Sequence, residues 1–83
     1  MNKKKLLSRI KTNQQNVKYS DFIALLNAFG FTYKRTAGSH DIYKNDTIPK
    51  IVNAQNKKGE AKPYQVQQFL SLVEKYNLGL ENE

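Results

Sequence analysis

Ser20-Asp21-Phe22-Ile23-Ala24-Leu25-Leu26-Asn27-Ala28-Phe29-Gly30-Phe31-Thr32-Tyr33-Lys34-Arg35-Thr36-Ala37-Gly38-Ser39-His40 is the stretch on which the fold of this chain turns. Its first half places Phe22, Leu25, Leu26 and Phe29 at i, i+3, i+4 and i+7, which puts all four on one face of a helix. Ser20 is a suitable N-cap, because its hydroxyl can accept from an orphan amide of the first turn, and Asp21 suits the positive helix end. Gly30 then provides the stop, since glycine enters the left-handed region that closes a helix without steric cost. Beyond it the residues become β-prone. Phe31 and Tyr33 are expected to point to a core, with Lys34 and Thr36 facing the other way.

Working outward, Ala37-Gly38-Ser39 turns the chain and Asp41-Ile42-Tyr43-Lys44 forms the paired second strand. Asn45-Asp46-Thr47 turns it again before the run from Ile48 to Asn53. Pro49 has no amide to give a ladder, so that third strand is an edge or starts at Lys50. Residues 54–62 are expected to be a polar loop. Pro63 fits the first position of another helix, where Val66, Phe69, Leu70 and Val73 repeat the apolar spacing, Tyr76 continues it, and Asn77 and Gly79 end it. Upstream, residues 3–12 predict a short basic helix with a narrow stripe of Leu6, Leu7 and Ile10, appended outside the core, with a hinge at 13–18. The order predicts an α+β two-layer sandwich: two helices on one face of a three-stranded antiparallel sheet (α-β-β-β-α), plus the extra N-terminal helix. The corresponding organisation is an N-terminal extension (1–17), one folded domain (18–80) and an acidic tail (81–83).

Eighty-three residues hold one domain at most. The absence of cysteine removes disulfides and cysteine-based zinc sites, and a single histidine makes a histidine metal site equally poor, so no metal or cofactor is expected. Met1-Asn2-Lys3-Lys4-Lys5-Leu6-Leu7 opens like a signal peptide, but Ser8, Arg9 and Lys11 interrupt the apolar run. Nothing approaches the ~20 apolar residues of a membrane span. The expectation is a soluble, cytoplasmic protein. Its net charge is +7, and residues 1–80 carry 14 basic against 5 acidic side chains, or +9. Charge of that sign and density favours a polyanionic partner, nucleic acid before an acidic protein.

His40 is the only histidine, and an imidazole ordinarily titrates at about 6.5, so it can exchange a proton near neutral pH. Were RNA the polyanion and the chain an enzyme, the RNA's own 2′-hydroxyl would be the nucleophile and one proton-moving side chain would suffice for metal-independent cleavage to a 2′,3′-cyclic phosphate and a 5′-hydroxyl. Lys34 and Arg35 precede the turn and Lys44 lies on the paired strand, so each can reach a phosphate as a cationic donor, and alternation leaves open which of them flanks His40. Tyr33, Tyr43, Tyr64 and Tyr76 can stack on unpaired bases, against a simpler role as core or rim aromatics, and Tyr43, beside the motif, can also complement His40 in proton transfer. Gly38 and Ser39 offer amides to phosphate, or serve as a plain turn. Lys50, Lys57, Lys58 and Lys62 are candidates for phosphate positioning, against a solubilising role. One conflict stands: strand alternation puts His40 on the side of the apolar Ile42, so it sits either at a strand's first position on the rim or half-buried in the core.

Taken together, the capped helix ending in Ala28-Phe29-Gly30-Phe31, the strand leading to Gly38-Ser39-His40, and the Lys62-Pro63-Tyr64-Gln65-Val66 helix start resemble the HicA family of toxins from bacterial toxin–antitoxin pairs. The resemblance covers residues 18–80. It implies a double-stranded-RNA-binding-like fold and an endoribonuclease that cleaves mRNA and arrests translation. It also implies His40 as the catalytic residue and a HicB-like antitoxin that covers the active site. Asp41 stands where many relatives carry a second histidine, and a carboxylate beside the ring would favour its charged form. A non-catalytic RNA-binding module of the same fold, which needs no His40, is the alternative reading. A protein-interaction domain that meets an acidic partner is a third.

Overall fold

Eight elements follow one another in a computed structural model that describes residues 2–81. They are α1 (Lys3–Thr12), α2 (Tyr19–Ala28), β1 (Thr32–Ala37), β2 (His40–Lys44), β3 (Ile51–Ala54), β4 (Asn56–Lys57), β5 (Glu60–Ala61) and α3 (Pro63–Lys75). β1, β2 and β3 form an antiparallel meander in that order, and β4 and β5 form a separate two-stranded hairpin. The expected polar loop at 54–62 is therefore ordered backbone. Ala61 donates its amide to Val17 at 2.9 Å, and Lys18 bridges Glu60, which fastens the hairpin to the entry of α2. Of the acidic tail expected at 81–83, Glu81 is described; Asn82 and Glu83 lie outside the described residues.

The start of α2 differs from expectation. Lys18, not Ser20, holds the N-cap position, and no side chain caps the first turn. The hairpin takes over part of that work, because the Tyr19 amide donates to the Gly59 carbonyl at 2.8 Å. The other end closes as predicted: Gly30 has φ +85°, and the Gly30 and Phe31 amides return to Asn27 and Leu26, each at 3.0 Å. The exposed carbonyls of that last turn find further donors. The buried Asn45 amide donates to Phe29 O at 2.8 Å and the Glu81 N–H to Ala28 O at 2.7 Å. The Glu81 carboxylate lies against Gly30, so a side chain there would collide with it as well as strain the backbone.

Phe69 of α3 organises the core. Its ring meets those of Phe22, Phe29 and Phe31 edge-on, with centroids 6.0, 5.5 and 5.7 Å away. Val52 and Ala54 of β3 and Tyr43 of β2 close the cluster from the sheet. The helix expected as an appendage outside the core is part of it: Leu6 and Ile10 are buried in the same cluster, and Arg9 of α1 pairs with Asp21 of α2 at 2.9 Å. In the third strand Ile48 is buried, while Pro49 and Lys50 stay outside and regular pairing starts at Ile51. Gln65, buried on α3, accepts the Gln55 amide at 2.8 Å just past the strand end.

Candidate active site

His40 is the first residue of β2, directly after a two-residue turn made by Gly38 and Ser39. Gly38 has φ +63° and Ser39 does not enter the left-handed region, the pattern of a type II′ hairpin turn with glycine first. A side chain at Gly38 would meet nothing, so its conformation alone calls for glycine. That accounts for Gly38 and Ser39 as turn residues.

The register settles which side of the sheet His40 takes. Asp41 and Tyr43 pair with Ala54 and Val52, which belong to the core, so these two point toward the helices. His40, Ile42 and Lys44 alternate with them and lie on the opposite, open side. Ile42 is buried yet stands outside the core cluster, with Arg35 and Asn53 as its cross-strand partners. The conflict read from the sequence thus dissolves. His40 does share a side with Ile42, but that side is not the core, and His40 is half-buried at the rim.

A β-bulge adds a feature that alternation does not predict. Tyr33 pairs with Tyr43 and Arg35 with Ile42, so one extra residue enters β1 between them. Lys34 and Arg35 together oppose Ile42, which assembles Lys34, Arg35, His40 and Lys44 on one surface. The same shift returns Thr36 to the side of Tyr33, contrary to the expected opposition of these two. The Tyr33 and Thr36 hydroxyls are 2.7 Å apart, and Thr36 donates to Asp41 at 2.7 Å. Tyr33 itself is not a core residue: it is 54% exposed at the sheet edge, its ring edge-on to Tyr43.

Asp41 completes this chain on the helix side, because the Tyr19 hydroxyl of α2 also donates to its carboxylate. The two hydroxyl donors, Tyr19 first and then Thr36, hold the Asp41 carboxyl below the usual carboxylate range. Burial first, and then the bond and charge of Asp41, push the Tyr19 phenol above its ordinary value. The carboxylate is thus committed to hydroxyls on the face away from the His40 side chain.

The remaining predicted residues divide. Tyr43 is 7% exposed, lies in the core cluster and faces away from His40, so it is removed both as a stacking residue and as the partner in proton transfer. Its phenol is raised, by burial before the charge of Asp41. Lys50 precedes Ile51, which pairs with Lys44, so it stands at the far end of the sheet, more than about 13 Å of strand from His40. Lys57, Lys58 and Lys62 gather elsewhere, around the β4–β5 hairpin and the start of α3. Tyr19 and Thr36 were not singled out from the sequence, because a hydroxyl reaching Asp41 from another element leaves no local pattern.

A three-stranded antiparallel sheet backed by helices, in the order α-β-β-β-α behind an extra helix, defines a double-stranded-RNA-binding-like domain. A family model described as HicA toxin of bacterial toxin–antitoxin systems matches residues 19–74, and the chain belongs to that family. No curated protein and no solved structure matches it. Membership makes the protein a toxin-family member with an antitoxin partner. Among the described residues no helix is long and apolar enough to cross a membrane.

Proposed function

We propose that this toxin is an endoribonuclease that cleaves mRNA in the cytoplasm without a metal ion and so halts translation and growth. The observation that carries the reading is the shared surface of His40, Lys34, Arg35 and Lys44, created by the bulge and the hairpin register. His40 takes the 2′-hydroxyl proton as that oxygen attacks phosphorus. The P–O5′ bond breaks, leaving a 2′,3′-cyclic phosphate, and the departing 5′-oxygen collects a proton from water or a lysine. Alternatively His40 gives that second proton. Either role is worth ~10²–10⁴-fold, in keeping with a modest nuclease. Lys34 and Arg35, opposite Ile42, are the cations nearest His40 and stabilise the charge that develops on the phosphorane, while Lys44, about 13 Å along β2, meets a neighbouring phosphate. A HicB-like antitoxin silences the enzyme by covering His40 and this basic surface.

Induced expression of the wild type beside His40→Ala, with RNA integrity and growth followed in each, tests the reading. RNA loss and arrest are expected with the wild type alone. Products ending in a 2′,3′-cyclic phosphate and a 5′-hydroxyl, unchanged by EDTA, are expected from the purified protein. Equal RNA loss from His40→Ala, or 5′-phosphate ends, would contradict it and leave the non-catalytic RNA-binding reading or another chemistry.

A further inference from the structure

The β4–β5 hairpin and the first turn of α3 enclose, with the turn at residues 15–16, an open cleft of about 620 Å³. That volume falls in the ~300–1,000 Å³ range of sites for small organic ligands, a nucleotide included. Lys57, Lys58 and Lys62 line it against one carboxylate, Glu60, and the first turn of α3 contains no acidic residue. Tyr64 lines it too and is 50% exposed. Its hydroxyl accepts from the side chain of the buried Gln65 at 3.4 Å, which anchors the ring at the cleft edge while half of the residue stays open to water.

We infer that this cleft binds the single-stranded RNA that flanks the bond cleaved at His40, with the lysines tracking its phosphates and Tyr64 stacking on a base. The inference rests on the ribonuclease reading for its ligand and extends it to a second surface. Two observations converge. Charge complementarity selects a polyanion, and an aromatic ring selects one with π faces to offer, which an acidic polypeptide does not need. A single strand is favoured over a duplex, because only unpaired bases can turn onto a side chain.

The cleft also lies at the correct end of the sheet. Asp41 pairs with Ala54, which places Gln55 level with His40, and β4 begins at the next residue. Tyr19 ties the hairpin to β2 on the face away from His40, with its hydroxyl on Asp41 and its amide on Gly59 of the hairpin turn. An RNA strand that passes from the open face over this rim at Gln55 reaches the hairpin next.

The hairpin tip carries its own sign of use. Lys58 and Gly59 have φ +53° and +88°, so both central positions of this turn are left-handed, as in a type I′ turn. Asparagine or glycine suits the first position, whereas a lysine there bears the steric conflict of its β-carbon. The chain holds a strained lysine where a relaxed residue would serve the turn better.

The test uses the full chain and a 2′-O-methyl oligonucleotide, which binds but lacks the nucleophile, with affinity measured over a range of salt. Tyr64→Ala is expected to weaken binding about tenfold, the loss of one stacked base. Lys57→Ala combined with Lys58→Asn is expected to lower the salt slope by about 1.4, two phosphate contacts on a single strand. Lys58→Asn alone should keep or raise the unfolding midpoint while still weakening binding, so a folding defect cannot imitate the result. Cleavage of oligonucleotides too short to reach the cleft should be unchanged in all three. Unchanged affinity and slope in these variants would overturn the inference, whether or not the wild type cleaves RNA. So would variants that keep RNA affinity but lose affinity for the antitoxin, which would make the cleft a protein interface. Variants that lose binding beside a wild type that cleaves nothing would sustain the cleft and sink the nuclease.

Discussion

His40 and Asp41 are neighbours in the chain and belong to opposite sides of the sheet. Asp41 turns toward the helices, where two hydroxyls hold it, and next to it on that side Tyr43 is packed among apolar residues. His40 turns toward the open side, where its strand and the bulged β1 supply cations in place of a packing partner. The contrast teaches how a small domain divides its labour. One side of β2 fixes the strand in place, and the residue at the rim of the other can then be presented without being buried. Each side should respond to a different measurement.

The largest effect belongs to the packed side. Phe69→Ala removes the ring on which three other phenylalanines converge and is expected to cost ~3–5 kcal/mol, a large part of the stability of a domain this small. The urea midpoint checks it. A cost under about 1 kcal/mol would mean that the core is not organised around this ring.

Next comes the hydroxyl–carboxylate chain that anchors the start of β2. Tyr19→Phe should cost about 1 kcal/mol at neutral pH, somewhat below the usual worth of a bond to a carboxylate because the pair is partly solvated. Asp41 is held low, so its contribution is present above its ordinary value of about 3.9 and is lost as pH falls through the lower folded value. Tyr19 is held high, so its contribution is present below about 10 and is lost as pH rises through the folded value. The difference in thermal midpoint between wild type and Tyr19→Phe should therefore be level from about pH 5 to 9 and shrink on the acid side. A difference that grows as pH falls would break the assignment.

The smallest effect on folding belongs to the open side. Lys34→Ala, Arg35→Ala and Lys44→Ala should each change stability by less than about 0.5 kcal/mol. Each should lower the salt slope of RNA binding by about 0.7, the share of one phosphate on a single strand. A slope that stays put in all three would sharpen the contrast in the wrong direction, making the open side merely solvated.

Much of this division was legible in the sequence. Apolar spacing located α2 and α3, Gly30 marked a helix end that the left-handed backbone confirms, and Gly38-Ser39 marked the hairpin. What escaped depends on contacts between distant segments. The bulge that puts Lys34 and Arg35 on one surface arises from pairing, not from the composition of β1. Ser20 has the chemistry of a cap, but the hairpin's carbonyl at Gly59 fixed the helix start two residues earlier, with Lys18 at the N-cap. The hairpin itself hid in a polar run, because Lys58 lacks the asparagine signature of its turn. Leu6 and Ile10 offered too narrow a stripe to reveal that α1 joins the core.

The most direct test measures two properties of purified wild type and His40→Ala side by side: the rate of RNA cleavage and the unfolding midpoint. An open-side histidine that moves protons predicts a rate lower by ~10²–10⁴-fold with a midpoint that is essentially unchanged. Undiminished cleavage, or a rate that falls only because the variant unfolds, would contradict it.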